Sequence, residues 1–291
     1  MKIWPDCIPC IIRMSLNTAR IGIKSETEIK SFMDWLLQLS HFKETNWNVT
    51  SPDIIHDVWL MLRQMYNIRD PLEKIKKEQN DTARQVYPFA KDHVLKSDDP
   101  LGKAVKFAIA GNSIDIMKGE AKTPTKEAID TIQQHILKTK DMDMLRKRIN
   151  KAKKLVYISD NCGEIYFDKL LLETIKMDYD IDTTFIARSL PVLNDATVSD
   201  VLSAGIDKLA RVIRNGISEP FPGTALNKVS STARKCIEEA DLIISKGGGN
   251  YDTLTEETIL KGKITFLLEA KCEPYCIIYK VPLGSLIIHN Y

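Results

Sequence analysis

The chain has 291 residues, long enough for one large domain or two modest ones, and its 44% apolar and 27% charged content is that of an ordinary globular protein. Its 41 basic and 39 acidic residues leave a net charge of +2, which gives no electrostatic footprint for nucleic acid or for an anionic membrane surface. No apolar run approaches the roughly 18 residues of a membrane helix, and Met1-Lys-Ile-Trp-Pro-Asp-Cys-Ile-Pro-Cys10 lacks a signal-peptide pattern, so a cytoplasmic protein without a membrane partner is expected.

Residues 1–150 read as mainly helical. Ile29, Phe32, Met33, Leu36, Leu37 and Leu39 form an amphipathic stripe over residues 28–40. Ser51-Pro52-Asp53 predicts a helix start with Ser51 as its cap, followed by Ile54, Ile55, Val58, Leu62 and Met65 on one face. Asp70-Pro71 predicts a third helix whose lysine-rich segment 74–77 is a solvated face, and residues 100–118 and 124–138 predict two more. From about Lys153 the pattern changes to alternating strands and helices. Strands are expected at Leu155–Ser159, Thr183–Ala187, Ala210–Ile213, Asp241–Ser245 and Ile264–Leu268, with helices at 165–177, 197–204 and 225–240. Near-continuous apolar strands alternating with helices predict a parallel sheet covered on both faces. The fold class is therefore α/β: a Rossmann-like three-layer domain over residues 151–291, preceded by an all-helical domain over residues 1–150 that caps it.

The turns after these strands hold most of the unusual chemistry. In an open α/β sheet, ligands bind beyond the carboxyl ends of the strands. Asp160 and Asn161 follow the first strand and Asp195 follows the second, an oxygen-rich set suited to magnesium, manganese or a similar divalent ion. Gly163 allows a sharp turn into the next helix, whose N-terminus favours an anion such as phosphate. The alternative is that Asp160 and Asn194 or Asp195 are simple helix caps. Lys246-Gly-Gly-Gly-Asn250-Tyr251 lets the backbone approach an anion and adds a point charge, although a flexible turn would look the same. It is not a P-loop, because no Gly-Lys-Ser/Thr follows. Lys271 is a second candidate phosphate ligand, or a surface lysine. Asn112 in Gly111-Asn-Ser-Ile-Asp115 lies over the crevice or ends a helix.

Cys7-x-x-Cys10 and Cys272-x3-Cys276 have spacings compatible with a second metal, a disulfide or plain thiols. The five histidines are scattered outside these motifs, and no Gly-x-Ser-x-Gly elbow occurs.

Taken in order, Asp6-Cys7-Ile-Pro-Cys10, Gly111-Asn112-Ser-Ile-Asp115, Asp160-Asn161-Cys-Gly-Glu164, Pro191-Val-Leu-Asn-Asp195, Lys246-Gly-Gly-Gly-Asn250-Tyr251 and Lys271 resemble the metal-dependent damage-control phosphatases, in their compact archaeal-type branch. The resemblance implies that Asp160, Asn161 and Asp195 hold one divalent ion (Mn²⁺, Co²⁺, Ni²⁺ or Mg²⁺). It implies too that Glu164, Lys246, Asn250 and Lys271 contact the phosphate or the attacking water. The implied substrate is a small phosphorylated metabolite, such as a sugar phosphate. Cys162 stands where the family usually has Ala or Ser. The expected reaction is phosphomonoester hydrolysis by a metal-activated water. An aspartyl-phosphate on Asp160 is disfavoured because Cys162, not a second Asp, lies two residues on. Two alternatives remain at this point: a methyltransferase-like transferase on the same scaffold, and a non-enzymatic metal or redox module built on the cysteines. The sequence does not give the oligomeric state.

Overall fold

The computed structural model describes residues 1–43, 46–111, 132 and 134–291. Among the described residues, seven helices precede the sheet: α1 (Cys7–Gly22), α2 (Glu26–Gln38), α3 (Ser40–Lys43), α4 (Ser51–Tyr66), α5 (Glu73–Leu95), α6 (Pro100–Ala110) and α7 (Thr139–Lys151). Strands and helices then alternate: β1 (Lys154–Ile158), α8 (Glu164–Asp178), β2 (Asp182–Ala187), α9 (Val198–Ser203), β3 (Arg211–Arg214), α10 (Ser231–Glu239), β4 (Leu242–Lys246), α11 (Gly248–Leu254), β5 (Ile264–Glu269), α12 (Glu273–Tyr279) and β6 (Leu286–Asn290). Among the described residues no helix is long and apolar enough to cross a membrane.

The strand order is β3-β2-β1-β4-β5-β6, with the first five parallel. The chain reverses its direction of progress between β1 and β4, which makes the crevice beyond those two strand ends the switch point of a doubly wound sheet. Register sets the strand ends level there: Ile158 of β1 lies beside Ile186 of β2 and Ser245 of β4. β6 adds an antiparallel edge strand that the sequence reading did not anticipate. Its five residues carry no recurring pattern from which pairing to β5 could be read.

Side-chain alternation divides the sheet between two cores. Leu155 and Tyr157 face a layer built from α5, α6, α7 and α8, while Val156 and Ile158 face α10, α11 and α12. This is the expected three-layer arrangement. The early helices are not one body in packing terms. α1, α2 and α4 share a core of their own with Val192 of the β2–α9 loop, whereas α5–α7 belong to the core of the sheet.

Several local expectations need correction. Thr50, not Ser51, caps α4, because Thr50 and Asp53 form a reciprocal capping box; Pro52 sits in the first turn. Helix α5 starts at Glu73, and Lys76 within its lysine-rich segment is buried and ion-paired with Asp70, so that face is not wholly solvated. Helix α10 begins at Ser231, capped by Ser230, since residues 225–230 form turns. The expected helices over 100–118 and 124–138 are described only in part; Asn112 and Asp115 lie outside the described residues.

Candidate active site

The bland reading of the strand-end acids as helix caps fails on geometry. Helix α8 is entered through Gly163, at φ 75°, without a side-chain cap. Helix α9 is capped by Thr197 with Asp200 in a capping box. Asp160 and Asp195 are therefore released from capping and turn into the crevice.

The two loops that carry them are joined by main chain. Cys162 N–H donates to Asn194 O at 2.8 Å and Ala196 N–H to Asp160 O at 2.7 Å, forming an isolated antiparallel bridge between Asn161 and Asp195. Helix α5 braces the first loop from outside: Gly163 N–H donates to Asn80 Oδ1 at 2.7 Å, and Asn80 Nδ2 donates to Asp200 Oδ1 at 3.1 Å.

Asp160, Asn161 and Asp195 are all buried. Asn161 Nδ2 donates to Asp160 Oδ2 at 2.7 Å and to Glu164 Oε2 at 3.3 Å, while Asp195 Oδ2 accepts from Arg188 Nε at 2.6 Å. The remaining oxygen of each residue (Asp160 Oδ1, Asn161 Oδ1 and Asp195 Oδ1) accepts no hydrogen bond from the described residues. Burial pushes the proton affinity of Asp160 well up, and Asp195 and Glu164 add to this against the pull of Arg188 and Lys271. Burial raises that of Asp195 too, opposed by Arg188 and Lys76. A cation would offset both penalties.

Beside this group lies a second buried cluster. Lys246, wholly buried at the end of β4, donates to Glu164 Oε1 at 2.6 Å and to Asp168 Oδ1 at 2.7 Å. Burial alone would strip its proton, but Asp168 and Glu164 outweigh that and raise its proton affinity. Tyr157 Oη–H donates to the same Asp168 oxygen at 2.6 Å. Asn250 is equally committed: Nδ2 donates to Ser159 O and Lys246 O at 2.9 and 2.7 Å, and Oδ1 accepts from Thr224 Oγ1 and Arg188 Nη1. Glu164, Lys246 and Asn250 thus touch the centre as braces in this structure, with their polar atoms turned to protein. Lys271 is exposed and near enough to lower the proton affinity of Asp160.

Gly247 has a role the sequence did not reveal. At φ 76°, a Cβ there would sit 1.8 Å from Asp160 Oδ2, so the glycine makes room for the carboxylate. Cys162 is buried, and burial with help from Asp200 pushes its thiol pKa up, so the sulfur is a protonated packing group. All six cysteines are free. Cys7 opens α1, and Cys272 is the residue before α12. Burial raises the pKa of the Cys272 thiol; an N–H bond from Tyr275 opposes this, and Cys7 and Cys10 add to it, so those three share a neighbourhood. No group of three or more His, Cys, Asp and Glu is arranged to hold a metal among the described residues.

The residues present fit a divalent ion on other grounds. The donors are hard oxygens, two from carboxylates and one from an amide, of the kind magnesium and manganese accept. Charge agrees. Asp160, Glu164, Asp168 and Asp195 bring four buried carboxylates against Lys246 and Arg188 in direct contact, while buried Lys76, which also acts on Asp195, is paired with Asp70, so carboxylates outnumber cations.

The sequence reading left two participants unassigned. Arg188, directly after β2, belongs to none of the six motifs. Asp168 follows Glu164 by one helical turn, and a like-charged i,i+4 pair in a largely apolar helix signals a cation between them.

Comparison with known proteins identifies the family. The family model of the damage-control phosphatase ARMT1-like domain matches residues 3–287, and the chain belongs to that family. A damage-control phosphatase of Archaeoglobus fulgidus is 33% identical, covering 99% of this chain and 98% of its own length. Another from Pyrococcus horikoshii is 32% identical over 99% and 97% of the two chains. The crystal structure of a DUF89 family protein from P. horikoshii superposes with a TM-score of 0.90 at 30% identity, covering both chains completely.

Proposed function

We propose that this member of a phosphatase family hydrolyses small phosphorylated metabolites, sugar phosphates among them, at a centre where Asp160, Asn161 and Asp195 hold one divalent ion. The observation that carries the reading is the trio of oxygens, one from each residue, that accept no hydrogen bond from the described residues, in a buried setting where carboxylates outnumber cations. Mn²⁺, Co²⁺, Ni²⁺ and Mg²⁺ all suit such donors. The ion supplies Lewis acidity toward the phosphoryl oxygens and makes water a nucleophile at neutral pH.

The chain's own residues do the rest. Glu164, locked by Lys246, accepts from the Nδ2 and backbone N–H of Asn161 and so turns the amide oxygen of that residue outward. Lys271, exposed at the end of the β5 turn, neutralises charge that grows on the phosphoryl group and its leaving oxygen. The helical residues before 150 form the cap that selects the organic part of the substrate. A covalent phosphoenzyme is disfavoured: the position two beyond Asp160, where such a mechanism places a second Asp, is Cys162, a packed and protonated thiol.

The test is phosphate release from p-nitrophenyl phosphate and a sugar-phosphate panel by metal-stripped protein, with Mg²⁺, Mn²⁺, Co²⁺ or Ni²⁺ added back. Activity should return with an added ion and be absent from Asp195→Ala. Full activity in that variant, or no ion-dependent release from any substrate, refutes the proposal.

A further inference from the structure

Arg188 is 2% exposed and lies between the two carboxylates of the centre. Its Nε donates to Asp195 Oδ2 at 2.6 Å. Its Nη1 donates to Gly223 O at 2.8 Å, Thr224 Oγ1 at 3.1 Å and Asn250 Oδ1 at 3.0 Å. Its Nη2 ends 3.8 Å from Asp160 Oδ1 and has no hydrogen-bond partner among the described residues. A planar guanidinium pinned at Nε and Nη1 cannot rotate, so its third nitrogen is held facing Asp160. A buried N–H without an acceptor is costly, and Asp160 Oδ1 is the acceptor within one small shift.

We propose that Arg188 is a positioning residue of the metal centre and its counter-cation in the metal-free protein. It grips Asp195 by one oxygen and leaves the other for the ion. It also neutralises the Asp160–Asp195 pair while no ion is bound. Lys246 does not share this task, because its ammonium is taken by Glu164 and Asp168. Lysine could not replace arginine here, since an ammonium has no fork with which to face Asp195, Asn250 and Asp160 at once. The inference rests on Asp160, Asn161 and Asp195 being the ion's ligands.

Thermal melting and calorimetric Mn²⁺ titration of metal-stripped wild type, Arg188→Met and Arg188→Lys test it. Stripped Arg188→Met should melt about 6 °C or more below wild type, because two buried carboxylates lose their cation. Saturating Mn²⁺ should recover most of that loss, so the Mn²⁺-induced rise exceeds that of wild type. Arg188→Lys keeps the charge and should melt near wild type when stripped, yet bind Mn²⁺ about tenfold more weakly because Asp195 is no longer aimed. An Arg188→Met protein that folds only with Mn²⁺ supports the proposal. If it folds in neither state, the Mn²⁺ affinity of Arg188→Lys decides, and a wild-type value overturns the inference. Equal Mn²⁺-induced shifts in all three proteins overturn it too. Wild type that fails to bind Mn²⁺ overturns the ligand reading and the role of Arg188 together, whereas normal wild-type binding with unaltered variants sinks only the latter.

Discussion

The two sides of the switch-point crevice hold similar residue types in opposite states. Around Asp160, Asn161 and Asp195, buried oxygens face outward with no donor among the described residues. Around Lys246 and Asn250, nearly every polar atom is already met by Glu164, Asp168, Tyr157, Thr224 or main chain; among the described residues Asp168 Oδ2 and the neighbouring Ser245 Oγ lack a partner. Burial does not mark a functional group, since both sides are buried. What separates them is whether hydrogen-bonding capacity is spent. A lysine in a glycine-rich turn reads as a phosphate ligand in sequence, yet its neighbours decide whether any charge is left to offer.

This contrast can be broken by substitution. Lys246→Met should cost about 3–5 kcal/mol of folding stability in denaturant titration, the loss that follows removal of one partner from a buried ion pair. A variant with wild-type stability would mean that Lys246 is held available for ligand. Gly247→Ala should leave the fold intact and displace the Asp160 carboxylate, lowering activity with added Mn²⁺ roughly 10²-fold, the scale of an ångström-sized misplacement. Undiminished activity would show that Asp160 has room to move away. Lys271→Ala should lower activity about tenfold, because a partly solvated charge near contact is worth roughly 1–2 kcal/mol, with stability unchanged within about 0.5 kcal/mol. Loss of stability without loss of turnover would reverse the assignment of the two lysines.

The smallest effect concerns pH. Burial raises the Asp168 carboxyl, Lys246 pulls it back, Glu164 pushes it up again, and it settles at about 6. Between the ordinary carboxylate value and about 6, folded protein keeps a proton that the unfolded chain has released. This group therefore favours folding most below about pH 4, and that contribution is lost as pH rises through about 6. Asp168→Asn should flatten the decline of stability across that window. An identical slope in wild type and variant would place the titration elsewhere.

Much of this site was legible before any coordinates. Each strand-end acid lay at the carboxyl edge of a parallel sheet, and the rule for open sheets brings such edges together. The six motifs in order named the family. Five of the six strands followed from apolar runs, while β6 escaped because an antiparallel edge strand at the C-terminus leaves no alternation to read. Arg188 escaped for another reason. One charged residue at the end of a strand looks like any solvated arginine until four partners from three chain segments are seen around it. Lys76 misled similarly, because a run of lysines in a helix reads as surface, and only the fold shows Asp70 drawing one of them inward.

The main-chain bridge between Asn161 and Asp195 has a consequence for how this protein can be altered. Because the β1 and β2 loops are tied by amides, the spacing of the proposed ligands is stored in backbone that no side-chain exchange erases. An exposed side chain beside the crevice can then be exchanged without moving the main chain that sets this spacing.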